Sequence, residues 1–455
     1  MAASLTVYLV YVGRTIAHAT SVFLPPDAAH ALGEADVLLG HGVLKFTHPP
    51  AFAVFVAAGR GLFGPVDGVL AAYLAGLALL WLGIYALLRQ WLPPLPAVVG
   101  TMTGMALPLV AELVGWGGGA QLLGLGFGVA TLAAFERWAR TGRGGPLVGV
   151  GLGLTALSHP FALLALLACL AVRWLAELWP ARGASDSRPS RPSGPATWRG
   201  GILAGITAAP FVLAGAAYYG GVSSPGAVSL ALPSLHPFFD LMSWATRENR
   251  LLLIACLGSL GTALFARGRG AIAIAASLAG VIVLPVIFVH AEAGYLTRSL
   301  YYLPVIVALG VAWAWEALAT MVAAHLDRRP RLGVAVVAAV LLPAFVAIVG
   351  LGPRLRVAMP YYTAVNQPEV DAISALRGAK GDVATSWTGA SVAAGEGMSW
   401  YVSGLAGRHA YGPSGRWIGA QPDEQRDGIA MQQALSGEVG IDAGGLQLAG
   451  RGSEL

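Results

Sequence analysis

Apolar runs of about twenty residues recur along this chain and constrain its fold more than any other feature. As helices, "PVDGVLAAYLAGLALLWLGIYALL" and "YYLPVIVALGVAWAWEALA" are long enough to cross a hydrocarbon layer of roughly 30 Å. Backbone groups in that layer must bond within their own segment, which favours helices. Only 11% of the 455 residues are charged, too few for an ordinary soluble domain. The sequence therefore predicts an all-α polytopic membrane protein.

By this length rule we place eleven spans, two of which are short. They are predicted near residues 4–23, 66–88, 95–114, 120–137, 146–159, 161–178, 200–219, 250–266, 271–290, 300–323 and 332–350. The pair around "LSHPFALL" suits a helical hairpin with Pro160 between its halves and His159 at its tip. The segment 51–64 contains Arg60 and is too short to cross, so we predict a helix lying in the outer interface.

Arginine sets the predicted orientation, because short cytoplasmic loops collect Lys and Arg. Four Arg-rich loops fall on one side of this span order: "ERWARTGRGG", "PARGASDSRPSRPSGPATWRGG", "ARGRG" and "HLDRRPR". We therefore expect a cytoplasmic N-terminus. The loop 24–64 and the tail from about residue 351 then lie outside.

The chain divides into a membrane domain, 1–350, and a tail, 351–455. In the tail, "PEVDAISALRGAKGDVATS" predicts a short amphipathic helix running into a strand, and "GEVGIDAGGLQLAG" predicts a hairpin. The tail is therefore expected to be a small extracytoplasmic α+β domain. Its abrupt end leads us to expect that a further extracytoplasmic domain follows in a longer protein.

Polar groups gather on the predicted outer side. The stretch "LPPDAAHALGEADVLLGHGVLKFTHPP" holds three carboxylates, three histidines and one of only two lysines. Others lie at later outer turns, in "GWGGGAQ", "HPFFDLMSWATRENR" and "HAEAGYLTRSLYY". Because charged groups are costly inside a bilayer, they indicate a cavity opening at the outer surface. The candidate site residues are Asp27, His30, Glu34, Asp36, Lys45, His48, His159, Arg247, Arg250, Arg298 and Tyr301.

Such a set suits transfer from a polyprenyl-phosphate sugar. The lipid tail stays in the bilayer, while Arg or Lys binds the phosphate. A carboxylate within hydrogen-bond reach of an acceptor hydroxyl supplies a general base. Asp27 follows two prolines at the exit of the first span, and His30 lies three residues on, close enough on a helical turn to orient it.

The first span, Asp27 just outside it, "LLGHG" and then "THPPAF" resemble the GT-C superfamily of membrane glycosyltransferases, which includes protein O-mannosyltransferases and oligosaccharyltransferases. The segments "GWGGGAQLLGLGFG", "LSHPFALL" and "LTRSLYYLPVIVALG", with "SWYVSGLAGRHAYGPSGRWIGAQPDEQRDGIAMQQALSGE" in the tail, resemble a bacterial branch. The resemblance runs along most of the chain. It implies a GT-C-like enzyme of a bacterial plasma membrane, which transfers a hexosyl or pentosyl group to a glycan, lipid or protein acceptor on the extracytoplasmic face.

The resemblance also implies roles for individual residues. Asp27 matches the acidic residue that activates the acceptor, His48 lines the same cavity, and Arg298 meets the lipid phosphate. Where the superfamily commonly has an acidic pair, this chain has a single Asp. A second carboxylate would come from Glu34 or Asp36. No metal ligands are assigned, and a divalent cation and catalytic competence itself stay open.

Each of these residues also has a structural interpretation. The alternatives are an N-cap for Asp27, solvated loop charges for Glu34 and Asp36, a rigid turn for His48, a hairpin tip for His159, and lipid-facing, snorkelling side chains for Arg298, Arg247 and Arg250.

Two other function classes stay open. A lipid or glycan transporter or flippase fits the many spans, although transporters usually place ionisable groups near the midplane in broken helices. A non-catalytic GT-C-like envelope assembly protein would keep the scaffold without the chemistry. Nucleic acid is not expected as a partner, because no clustered basic face with interleaved aromatics occurs.

Overall fold

The computed structural model describes residues 1–40, 50–178, 201–210 except 203, 213, 229–230, 269–290, 298–326, 352, 354–357, 359, 365–379, 383–384, 401–408 and 410–411. Its helices are α1 (Ala2–Ala19), α2 (Pro26–Leu38), α3 (Pro50–Phe63), α4 (Pro65–Leu88), α5 (Pro94–Met105), α6 (Pro108–Gly115), α7 (Gly119–Thr141), α8 (Gly145–Ser158), α9 (Pro160–Leu178), α10 (Arg269–Phe288), α11 (Leu303–Leu326) and α12 (Gln367–Ala375). Two 3-10 helices are Arg298–Tyr302 and Leu376–Gly378. Strands β1 (Ser229–Leu230) and β2 (Val289–His290) pair antiparallel, and β3 (Val383–Ala384) and β4 (Ala410–Tyr411) pair in parallel.

Within these described residues, three helical stretches are long and apolar enough to cross a membrane: Pro65–Leu88, Gly119–Thr141 and Arg298–Met321. They confirm the helices predicted near 66–88, 120–137 and 300–323. The segments predicted to span at 250–266 and 332–350 lie outside the described residues, so the count of eleven stays a prediction.

The single span predicted at 95–114 is broken in the structure. It forms α5 and α6, which meet at an angle of 52°. The cause is Pro108, which starts α6 and disfavours helical backbone at the residue before it. The bend leads the chain into a glycine-rich turn, Gly115–Gly119, where the candidate site is built.

Small residues let the central helices approach closely. On α5, Gly100 and Gly104 are four residues apart, and a Cβ at either would overlap the backbone of α11 at Ala308 or Pro304. This is the G-x-x-x-G spacing that brings helices together in membranes. The contact fixes the start of α11 and, with it, the 3-10 helix that carries Arg298.

The helix predicted at 51–64 is present as α3, which packs against α4 through glycine, and its place in the interface stays a prediction. A Cβ added to Gly59 would overlap the Gly68 carbonyl group, and one added to Gly68 would overlap the Arg60 backbone. The two backbones are therefore in direct contact at this crossing. The contact holds Arg60 where it can meet α2.

Part of the tail matches its prediction. α12 begins with a capping box in which the Asn366 side chain accepts from the Glu369 amide at 3.0 Å and the Glu369 carboxylate accepts from the Asn366 amide at 2.8 Å. The Arg377 guanidinium donates to the Leu405 carbonyl at 2.8 Å, which ties this helix to residues 401–408. The predicted hairpin at 437–450 lies outside the described residues, and the α+β domain stays a prediction.

The crossing of α3 and α4 yields a paired test on one helix. We expect Gly59→Ala to destabilise the protein by about 1–3 kcal/mol, because the new methyl overlaps the Gly68 carbonyl. Gly61→Ala is the control: nothing lies within 4 Å of its Cβ, so the gain in helix propensity of up to about 1 kcal/mol decides its sign. Thermal unfolding in detergent measures both, and equal unfolding temperatures for the two variants would contradict the packing.

Candidate functional site

The segment that follows α1 contains α2, most of which is buried. Proline at its first position and Pro25 as its N-cap set its start, so Asp27 lies in the first turn. The N-cap interpretation of Asp27 is therefore wrong. Asp27 itself is partly exposed, whereas His30, Glu34 and Asp36 farther along the helix are almost fully buried.

The buried polar residues of α2 are paired. The His30 Nε2 lies 3.2 Å from the Glu34 Oε1, one helical turn on. The Arg60 guanidinium of α3 donates to the Asp36 carboxylate. The interpretation of Glu34 and Asp36 as solvated loop charges is wrong, because α2 is enclosed and only partners in hydrogen-bond contact compensate burial of such groups.

The tail helps to enclose α2. The Tyr401 hydroxyl, which is fully buried, donates to the Leu24 carbonyl at 2.7 Å. A Cβ on Gly404 would overlap the Ala29 carbonyl of α2. Residues 401–406 thus lie directly on the backbone of α2, and the candidate site is built from both ends of the sequence.

Asp27 lies between an aromatic group and the glycine-rich turn. Its carboxylate is within electrostatic reach of the Tyr73 hydroxyl of α4. The Tyr73 ring meets Phe23 and Phe52 edge-on, with centroids 5.2 and 5.0 Å away. On the other side, a Cβ on Gly117 would lie only 2.7 Å from the Asp27 Cβ. Because Gly117 has a φ of 104° and no side chain, the turn can close on Asp27.

Arg298 is held by contacts from the same turn and the start of α7. Its guanidinium carbon lies 5.7 Å from the centre of the Trp116 ring, a cation–π contact. The Trp116 indole N–H donates to the Tyr301 hydroxyl at 2.8 Å, and the Gln121 amide donates to the Arg298 carbonyl at 2.9 Å. The Trp116 ring thus contacts the guanidinium group, and the hydrogen bond from Gln121 fixes the Arg298 backbone.

Two neighbouring residues of one turn therefore join the two halves of the site. Trp116 touches Arg298, and Gly117 touches Asp27. Consecutive Cα atoms are about 3.8 Å apart. The residues that contact Asp27 and Arg298 are thus neighbours in one turn.

The remaining candidates divide into two groups. His159 is buried at the junction of α8 and α9, and a Cβ on Gly124 of α7 would lie 2.9 Å from its Cβ. This confirms the predicted hairpin tip and places the imidazole beside α7. Four candidates lie outside the described residues: Lys45, His48, Arg247 and Arg250.

Sequence reasoning missed several contributors to the site, among them Tyr73. Trp116, Gly117 and Gln121 stand in "GWGGGAQ", a segment noted only as polar, and Arg60 was used only to exclude a span. The available signal was a Trp among glycines directly before a span and a lone Arg in an apolar helix. Neither pattern indicates which residue the Trp or the Arg contacts.

A divalent cation stays a prediction, because the described acidic and histidine residues form no metal-binding group among themselves. No group of three His, Cys, Asp or Glu in the described ranges is arranged around a common point. Glu34 faces His30, and Asp36 faces Arg60. The second carboxylates that the sequence suggested are thus engaged with nitrogen-bearing side chains.

Two solved enzymes have a similar fold. The oligosaccharyltransferase of Archaeoglobus fulgidus in its apo form aligns with 90% of this chain at 14% identity and a TM-score of 0.57, and the chain spans 64% of that protein's length. Apo ArnT from Cupriavidus metallidurans aligns with 96% of this chain and 88% of its own length, at 15% identity and a TM-score of 0.57. ArnT bound to undecaprenyl phosphate aligns with 94% of this chain and 87% of its own length, at 15% identity and a TM-score of 0.56.

No family model and no curated protein matches the sequence. The structural likeness therefore shows the fold alone: this chain shares the helical fold of these two enzymes, and it has helices long and apolar enough to cross a membrane, as the sequence predicted.

Two variants separate the effect of the Gly117–Asp27 contact on stability from the effect of backbone strain. Gly117 and Gly144 have nearly the same φ, 104° and 105°, but nothing lies within 4 Å of a Cβ on Gly144. Both Gly→Ala variants carry the backbone cost of about 1 kcal/mol or more. We expect Gly117→Ala to lose about 1–3 kcal/mol beyond Gly144→Ala, because its methyl meets Asp27. Thermal unfolding measures the difference, and equal losses would show that Gly117 does not press on Asp27.

Proposed function

We propose that this chain transfers a hexosyl or pentosyl group from a polyprenyl-phosphate-linked donor to an acceptor hydroxyl on the extracytoplasmic face of a bacterial plasma membrane. The observation that supports the proposal most is the shared turn: Trp116 contacts Arg298, and Gly117 contacts Asp27. A group that can take a proton and a group that can hold a phosphate are thereby positioned together. ArnT, which is similar in fold, has been solved with undecaprenyl phosphate bound.

In the proposed step, Asp27 acts as general base. Its carboxylate accepts the proton of the acceptor hydroxyl as that oxygen attacks the anomeric carbon. A bond forms between the acceptor oxygen and the anomeric carbon, and the bond from that carbon to the phosphate oxygen breaks. The electron pair leaves with the phosphate, and attack from the opposite face inverts the anomeric configuration. Partial exposure of Asp27 in the first turn of α2 leaves it accessible to an acceptor.

Arg298 is the proposed partner of the donor phosphate. A guanidinium forms strong charge-assisted hydrogen bonds with phosphate oxygens and stabilises the charge that develops on the leaving group. Arg298 is only half-buried, so part of its side chain stays accessible. The Tyr301 hydroxyl oxygen accepts from the Trp116 indole and so helps to hold that ring beside Arg298.

The buried polar pairs of α2 have a supporting role in this proposal. His30 and Glu34 form a contact inside the helix, and Asp36 is paired with Arg60. We assign them to fixing the axis and the rotation of α2, so that Asp27 faces the glycine-rich turn. Asp27 is then the only acidic residue of α2 that lacks full burial.

The role of Asp27 is tested with a matched carboxylate. Asp27→Asn removes the base without changing the shape, and we expect sugar transfer to fall by about 10²–10⁴-fold. Asp67→Asn is the control, because Asp67 also lies in the first turn of a helix that begins with proline but is exposed. Transfer from a radiolabelled polyprenyl-phosphate sugar measures both variants. An Asp27→Asn protein that is folded and transfers sugar at the parent rate would remove Asp27 from the mechanism.

The role of Arg298 is tested through the donor. We expect Arg298→Gln to weaken interaction with the donor phosphate and to reduce kcat/KM about 10–100-fold, since charge-assisted hydrogen bonds contribute roughly 1.5–3 kcal/mol. Arg298→Lys keeps the charge but loses the planar contact with Trp116, so an intermediate loss is expected. Arg137→Gln, on the exposed side of α7, is the control. Parent-like kinetics in Arg298→Gln would place the phosphate elsewhere.

A further inference from the structure

A separate groove runs along the exposed side of α1. Its volume is about 550 Å³. The described residues that line it come from one helix and one distant segment: Thr6, Val7, Val10, Tyr11, Arg14, Thr15, His18 and Arg356. None of them belongs to the site around Asp27. α1 buries Tyr8, Val12 and Ile16 on its opposite face, against the helix bundle.

The groove has a basic end. Arg14 and His18 lie one turn apart on α1, and Arg356 reaches the same space from a segment 342 residues away from Arg14. None of the three makes a salt bridge or a side-chain hydrogen bond with the described part of the chain, and no described lining residue is acidic. Positively charged side chains that line the same groove repel each other, and an anion bound between them would reduce that repulsion.

The other end of the groove is apolar. Val7 is 61% exposed and Val10 is 49% exposed, and both lie on α1. From Val7 to Arg14 the helix rises about 10 Å at 1.5 Å per residue. A ligand that fills the groove must therefore carry an anionic group and, within that distance, the beginning of a hydrocarbon chain.

We propose that this groove binds one anionic phospholipid of the surrounding bilayer, with its phosphate between Arg14 and Arg356 and an acyl chain along Val7 and Val10. Guanidinium groups match phosphate oxygens, and His18 adds positive charge when it is protonated. Contact with an acyl chain removes the exposed valine side chains from water, which is favourable. The phospholipid would contact both α1 and the segment 354–357. This binding does not depend on the proposed glycosyl transfer.

Native mass spectrometry of the full chain in detergent tests the proposal, with phosphatidylglycerol as the probe and phosphatidylcholine as the neutral comparison. We expect one phosphatidylglycerol to be bound in preference to phosphatidylcholine. The double variant Arg14→Gln/Arg356→Gln should bind it roughly 30-fold more weakly, since each basic side chain near a lipid phosphate contributes about fivefold. Arg354→Gln is the matched control: Arg354 is exposed in the same segment but does not line the groove.

A phosphatidylglycerol that carries a photoreactive acyl chain locates the contact. Cross-links to α1 peptides that contain Val7 or Val10, lost in the double variant but kept in Arg354→Gln, support the proposal. Equal affinity for both phospholipids would overturn it, as would an unchanged affinity in the double variant. Preferential occupation by undecaprenyl phosphate, with phosphatidylglycerol unable to compete, would also overturn it and make the groove a donor site. Thermal unfolding without lipid checks that the variants are folded.

Discussion

Close contact between the Gly115–Gly119 turn and the first turn of α2 holds the candidate site together. Any side chain at Gly117 would meet Asp27, and its φ of 104° is one that glycine adopts without strain. The turn exists because Pro108 bends the helix before it. Its position relative to Arg298 depends in turn on the glycine contacts between α5 and α11. Close contacts between backbones therefore determine the geometry of the candidate site more than the packing of apolar side chains elsewhere does.

Burial of three polar residues on α2 has an energetic cost, and the pairing limits it. A buried ion pair adds little net stability compared with apolar residues, yet loss of one partner typically costs about 3–5 kcal/mol. Such pairs specify an arrangement more than they stabilise it. In this chain, Asp36 fixes α2 against α3 through Arg60, while residues 401–406 close its other side. A rotation of α2 that moved Asp27 off the turn would break these contacts.

Hydropathy predicted the long helices because each helix that crosses a bilayer must be long enough to span it and must form its backbone hydrogen bonds within itself. It could not show that Glu34 and Asp36 are buried. Asp36 pairs with Arg60, 24 positions away, and residues 401–406, which enclose α2, lie several hundred positions away, while a polar stretch between two apolar ones is typical of a loop. Trp116 meets Arg298 across 182 positions. Pairings of that range depend on helix packing, which a single sequence does not encode locally.

We propose that arginine side chains bind phosphate at two surfaces of this fold, and the surroundings of these arginines differ. Arg298 is half-buried, and its approach is restricted by the Trp116 ring and by a backbone held through Gln121. Arg14 and Arg356 are exposed beside an open groove. Under the two proposals, access would discriminate between ligands: a bulk phospholipid would enter the open groove, whereas a ligand of Arg298 would also have to fit beside the Trp116 ring. Selectivity for a lipid-linked sugar would thus reside in the shape around the arginine, since the charge alone cannot distinguish one phosphate from another.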